Sequence, residues 1–268
     1  AAPQGWRWQG PVVIGEADVL SPFTVRVTAP GTHTLRTVDG RQLRADAQEA
    51  QGRVLLKPEG GARSGQITLR QVRLDGLPAG PTRAAALFVA LGPERRPPDG
   101  PRELDVTLET DGLELPRQLE TAFGRSIDRL AVRGTLIGRA PREISRAELQ
   151  AWRRRGGRIA VDHLDLTWAP VSLKGDGTLT LDSRLRPQGT LDVAIRGLGP
   201  ALDELAAAGR IDRGAVTYAK LAIAALGSRD EATGETRVDV PLSFRDGRIY
   251  LGPVPLGRLA PVLPASAG

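Results

Sequence analysis

The chain contains no cysteine and no methionine. Without cysteine there is no disulfide framework, no thiolate metal site and no cysteine nucleophile, and the absence fits oxidising and reducing compartments alike. Translation begins with methionine, so Ala1-Ala2-Pro3 reads as a trimmed or processed end. Histidine is almost missing: only His33 and His163 could act as an imidazole base or ligand, too few for a three- or four-coordinate zinc site, and no metal or cofactor is expected. Aromatic residues are 4% of the chain. None is interleaved with the densest basic run, Arg153-Arg154-Arg155 plus Arg158, so stacking of exposed bases has no platform and no nucleic-acid partner is expected. That run falls at a helix end, where cations complement the dipole. Lysine is confined to Lys57, Lys174 and Lys220, so the net charge of +6 is carried by arginine and reads as a solvated surface. No apolar run approaches the ~20 residues of a membrane span, and any signal or anchor is expected upstream of Ala1.

Catalytic signatures are equally scarce. There is no Gly-x-Ser-x-Gly elbow, no Gly-x-x-x-x-Gly-Lys phosphate loop and no Rossmann glycine pattern; Gly175-Asp176-Gly177-Thr178 and the stretch from Gly209 to Gly214 read as turns. The single acid/His cluster is Asp162-His163 with Asp165, where His163 and Asp165 share one face of a strand. A hydrolase or lyase built on these three needs them to converge in a cleft; otherwise they are solvated strand residues. No catalytic residue is assigned and the chain is not expected to be an enzyme.

What is present is a β-rich pattern. With 268 residues, 40% of them hydrophobic and 25% charged, the chain can bury a core as one large β-rich domain or two ordinary ones. Asp-Gly pairs at Asp39, Asp75, Asp99, Asp111, Asp176 and Asp246 are hairpin signals, because Asp-Gly accepts the positive φ angles of a type I′ turn. Strands are read near 11–19, 22–29, 32–38, 41–48, 52–57, 65–75, 83–91 and 102–110, and Ala84 to Leu91 is apolar on both faces. The stretch from Trp152 to Gly197 organises the second half. It closes a helix on Gly156-Gly157 and continues into three strands, with turns expected at Ala169-Pro170, Asp176-Gly177 and Pro187-Gln188-Gly189. Ile159 and Val161 differ in parity from Leu164, Leu166 and Trp168, which requires a bulge near Asp162-His163 or burial of both faces.

Helices are expected from Pro116 to Gly124, from the capping box Ser145-Arg146-Ala147-Glu148 to Arg155, from Pro200 to Ala208, and from Asp212 to Leu226 with Ala215, Ala219, Ala222, Ile223 and Leu226 as its stripe. Consecutive hairpin-linked strands disfavour a parallel doubly wound fold. The expected fold class is α+β: a large curled, mainly antiparallel sheet with about four short helices packed on it, mostly in the second half. The division is residues 1–113, β-rich, and 114–268, sheet plus helices, or one continuous domain. If the concave face is open, Leu164, Leu166, Trp168, Leu179 and Leu181 are its candidate ligand-binding residues; if helices cover it, the same residues are core.

Trp152-x-x-x-Gly156-Gly157, Leu164-x-Leu166-Thr167-Trp168-Ala169-Pro170, Gly177-Thr178-Leu179-Thr180-Leu181-Asp182, Pro187-Gln188-Gly189-Thr190-Leu191, Val240-Pro241-Leu242 and Leu251-Gly252-Pro253-Val254-Pro255-Leu256-Gly257-Arg258-Leu259 together resemble the bacterial family of unknown function DUF2125. These motifs cover roughly residues 113–263, while the first half matches only in its short strands and Gly-Pro turns. Two departures are Ala169, where a glycine commonly follows the tryptophan, and Ala260, which interrupts a Leu-Pro-Pro ending. The resemblance implies a Gram-negative envelope protein, tethered to the inner membrane by an N-terminal helix absent from this chain, with its body facing the periplasm. Its architecture is similar to AsmA-type envelope proteins associated with lipids, which is an analogy between folds. The expected partners are therefore a lipid or membrane surface, or another envelope protein.

Overall fold

A computed structural model describes residues 7–18, 21–36, 42–77, 80–117, 123–141, 145–209, 212–229 and 234–263. The strands of the first half are β1 (Arg7–Gln9), β2 (Ile14–Asp18), β3 (Ser21–Thr28), β4 (Gly31–Arg36), β5 (Gln42–Leu56), β6 (Ala62–Asp75), β7 (Thr82–Arg95) and β8 (Glu103–Glu114). Then follow β9 (Ser126–Ile137), α1 (Arg146–Arg154), β10 (Arg158–Trp168), β11 (Val171–Leu181), β12 (Pro187–Arg196), α2 (Leu198–Ala207) and α3 (Arg213–Leu226). The chain closes with β13 (Ser228–Arg229), β14 (Thr236–Arg245), β15 (Arg248–Leu251) and β16 (Val254–Arg258).

All sixteen strands belong to one antiparallel sheet, in the order β1-β4-β5-β6-β7-β8-β9-β10-β11-β12-β14-β15-β16, with β3 also on β5, β2 on β3 and β13 on β14. β8 pairs with β9 from Glu103↔Ile137 to Glu114↔Ser126, so the two halves share one sheet. The thirteen strands of that path span roughly 60 Å at ~4.8 Å per strand. Both edges are short, and β16 carries Pro255, which blunts edge-to-edge pairing.

The two faces of the sheet differ in chemistry. One carries cross-strand charges: Arg70 with Glu49 at 3.6 Å, Arg133 with Glu109 at 3.1 Å, Arg129 with Asp111 at 3.7 Å and Lys174 with Asp165 at 3.3 Å. Each exposed pair adds little stability, but together they mark this face as wet. The other face is apolar from Val27 and Val54, through Leu87, Val89, Leu108 and Val132, to Leu166, Val193, Val240 and Leu242. Two clusters are packed on it: Ala47, Ala50, Leu69, Val72 and Ala84 in the first half, and Val161, Leu173, Leu191, Val193 and Ile195 in the second.

A line of phase changes crosses five strands. Ala47 and Ala50, Leu69 and Val72, Ala84 and Leu87, Thr110 and Leu113, and Ile127 and Leu130 each lie three apart on one face. A regular strand would place such residues on opposite faces. Gln71 (φ 48°) and Gly112 (φ 59°) take left-handed backbone on this line. The pairing registers pass through this line without a shift, so paired strands change face together. A second irregularity falls between Val161 and Leu164, at Asp162-His163, and brings Val161 onto the face of Leu164, Leu166 and Trp168. It is the bulge anticipated from the parity of these residues.

Several sequence expectations are corrected. Runs 41–48 and 52–57 are one strand, β5. Asp176-Gly177 is no turn: it lies mid-β11, paired to Asp192 and Leu191, and Asp111-Gly112 lies inside β8. Pro187-Gln188-Gly189 begins β12, and the β11–β12 turn is 182–186. Gly177 has φ 150°, and a side chain there would sit 2.3 Å from the Thr190 carbonyl oxygen, so glycine serves close strand packing here. Three helices are found among the described residues; 118–122 of the expected 116–124 helix lie outside them, as do Asp39-Gly40. Helix α2 starts at Leu198, two residues before the expected Pro200, behind a left-handed Gly197.

The accessible surface is 16775 Å² for 28.5 kDa, against roughly 11,300 Å² expected for a compact protein of that mass. Large apolar residues left exposed on the described sheet, Ile67 and Leu91 among them, contribute to this excess. Helix α2 packs on α3, and α3 reaches β14. Among the described residues no helix lies broadly across β5 to β8.

Candidate functional site

The five residues singled out from the sequence lie on the apolar face, and all are half-buried. Leu164, Leu166 and Leu179 pack against the second-half cluster, together with Leu198 of α2. Trp168 stands edge-on to Phe123, with ring centroids 5.8 Å apart. Its indole nitrogen is enclosed and has no acceptor among the described residues. Leu181 lies beyond them at the end of β11, opposite Pro187. These strands bring the five onto one face, but that region is mostly filled by its own side chains: Leu191, Val193 and Ile195 are each 3% exposed.

The same face is open elsewhere. Ile67 is 40% exposed, Leu91 46% and Ile159 37%, large apolar residues that a second layer would cover. At the first-half end an apolar hollow of about 520 Å³ lies between β3, β5 and β6, lined by Val13, Val27, Ala50, Val54 and Ile67. Sequence reading missed this region because it cut β5 in two, which hid the alternation that places Ala50, Gly52 and Val54 on one face.

The acid/His cluster lies on the opposite, charged face. Asp162 and His163 line an open basin of about 640 Å³ with Lys174, Asp176, Asp192 and Arg237. Asp165 is engaged by Lys174 at 3.3 Å and is not part of the basin wall. Asp176 and Asp192 are direct cross-strand neighbours. Among the described residues no three His, Asp or Glu side chains are placed to hold a metal ion.

The end of the β11–β12 hairpin is locked. Asp182 accepts from the Arg184 amide at 2.8 Å, the Arg186 amide at 2.9 Å and Arg186 Nε at 2.7 Å. Burial pushes the Asp182 carboxyl up, but the hydrogen bonds from Arg186 and Arg184 outweigh it and hold the group below its ordinary value. Arg186 also reaches the Asp246 carbonyl at 3.1 Å, and the Val262 amide donates to the Leu185 carbonyl at 2.9 Å. This clamp fixes one end of the apolar face.

Residues 1–260 match the family described as "Uncharacterized protein conserved in bacteria (DUF2125)". The match takes in the first half, beyond the span of the motifs quoted above. No curated protein and no solved structure matches the chain.

Proposed function

The chain belongs to the DUF2125 family, and from that premise we propose that it is a non-enzymatic protein of the bacterial envelope whose curled sheet holds or passes a lipid on its apolar face. One observation carries this reading: an apolar face runs across the sheet, opposite a charged face, and among the described residues the helices cover only part of it. A sheet normally buries its apolar face against a second layer, and an exposed apolar surface of this extent marks a ligand groove or an interface. Lipid hydrocarbon supplies the missing layer without a further protein domain. On this reading Leu164, Leu166, Trp168, Leu179 and Leu181 contact bound lipid from the packed end of the face. The body faces the periplasm, and the tether is the inner-membrane helix that the family resemblance implies.

The test is uptake. Delipidated protein is incubated with vesicles containing a fluorescent phosphatidylglycerol and then separated from them. Lipid travelling with the protein at about one or more per chain supports the proposal, and none above a control protein of similar charge refutes it.

A second reading, a structural or protein-binding envelope module without ligand, is favoured by helix α3, where Tyr218 is 77% and Leu221 63% exposed. It predicts a protein partner lost on replacing these two residues, with no lipid uptake.

A further inference from the structure

The hollow between β3, β5 and β6 differs from the rest of the apolar face. In the second half, Val161, Leu173, Leu191, Val193 and Ile195 fill the surface with one another. In the hollow the floor is made of residues with little or no side chain: Ala29, Ala50 and Gly52. Gly52 is not forced by its backbone. A Cβ there would lie 3.4 Å from the Gln66 carbonyl oxygen and 3.7 Å from Val27 Cβ, which is ordinary contact. A Cβ is therefore tolerated at this position, and glycine leaves the floor of the hollow without one.

The lining is largely apolar, with Gln51 and Gln66 also among its residues. No Asp, Glu, Lys or Arg lines the hollow, and its imidazole, His33, is held at Nε2 by the Ala29 carbonyl at 2.6 Å. The rim is apolar and in contact with water: Val13 is 43% and Ile67 40% exposed. An open cavity with an apolar rim and no Asp, Glu, Lys or Arg in its lining suits hydrocarbon better than a charged ligand.

We infer that this hollow is the seat of one hydrocarbon chain of a lipid. The inference rests on the proposed lipid-binding function and makes it specific: the chain inserts at the β3–β5–β6 end, with its polar end left outside in water. The hydrocarbon can come from a free fatty acid or from one chain of a phospholipid.

The test uses the full chain with two photoactivatable probes, a diazirine-bearing palmitic acid and a phosphatidylglycerol with a diazirine on one acyl chain, followed by peptide mapping. Labelling by either probe is expected on residues 24–29, 49–56 and 64–69, and the probe that labels identifies the source. Gly52→Val fills the hollow and Ile67→Glu puts a charge at its mouth. Each is expected to cut labelling there at least tenfold while leaving the melting temperature within a few degrees; if one variant unfolds, the other carries the comparison. Labelling confined to β10–β12 and unchanged in both variants overturns the inference and leaves lipid binding standing. Absence of labelling and of vesicle uptake overturns both.

Discussion

Trp152 and Gly157 show how a motif legible in the sequence acquires its reason only in three dimensions. Trp152 is 3% exposed, and a Cβ on Gly157 would fall 2.3 Å from its ring. Gly156 has φ 77° but open space around it. Gly157→Ala should therefore cost about 2–3 kcal/mol by overpacking, and Gly156→Ala only about 1 kcal/mol of backbone strain. Thermal melts of the two variants resolve the difference, at about 2–4 °C per kcal/mol. Asp182 makes the second residue-scale prediction. Its folded value lies below its ordinary one, so its contribution to stability is complete above the unfolded value, about 3.9, and is lost as pH falls through the depressed folded value. Asp182→Asn should lose about 1.5–3 kcal/mol at neutral pH, and the gap to the parent should close in acid. Denaturant titrations at pH 7 and below pH 4 check this; a gap independent of pH would show that the carboxylate charge is not what matters. In the sequence Asp182 stands only as the last residue of the Gly177–Asp182 motif, with no role attached, because its partners come from its own turn and from Arg186, whose guanidinium also bridges to Asp246.

At the scale of elements, one dipeptide behaves in opposite ways. Asp246-Gly247 makes the β14–β15 turn with φ 53° and 70°, as Asp-Gly between alternating runs predicts. Asp176-Gly177 lies mid-strand, because β11 is held from both sides, by β10 and β12, over its whole length. Tertiary pairing overrides the turn propensity there, and a reading of local sequence has no access to it. Helix caps were legible since they are local: Ser145 Oγ accepts from the Glu148 amide at 3.3 Å, and Asp212 from the Gly214 amide at 2.8 Å. Ser145→Ala should destabilise by about 1 kcal/mol, read from the midpoint of urea unfolding. On α3, replacing Tyr218 and Leu221 together with serine should change stability by less than about 1 kcal/mol, since both are exposed. A larger loss in the isolated chain would show that this helix face is covered.

Across the whole molecule, the parity of Leu164, Leu166 and Trp168 against Val161 left a bulge or burial of both faces, of which the structure has the bulge, and the hairpin grammar announced an antiparallel sheet. Neither could show that the first and second halves are one sheet, because no strand was read at 126–137, where β9 pairs with β8. Nor could they tell core from groove: Leu164 and Ile67 are both apolar strand residues, and only the surrounding sheet packs one against the second-half cluster and leaves the other 40% exposed. The central claim is that lipid occupies the apolar face. It is tested most directly by purifying the protein from its native membranes without detergent exchange and analysing an organic extract by mass spectrometry against the protein concentration. A lipid present at about one or more per chain, removable by delipidation and regained from vesicles, is the predicted result. An extract with no lipid above background, from a folded chain that also takes up none, would contradict it and leave the sheet as a scaffold for protein partners.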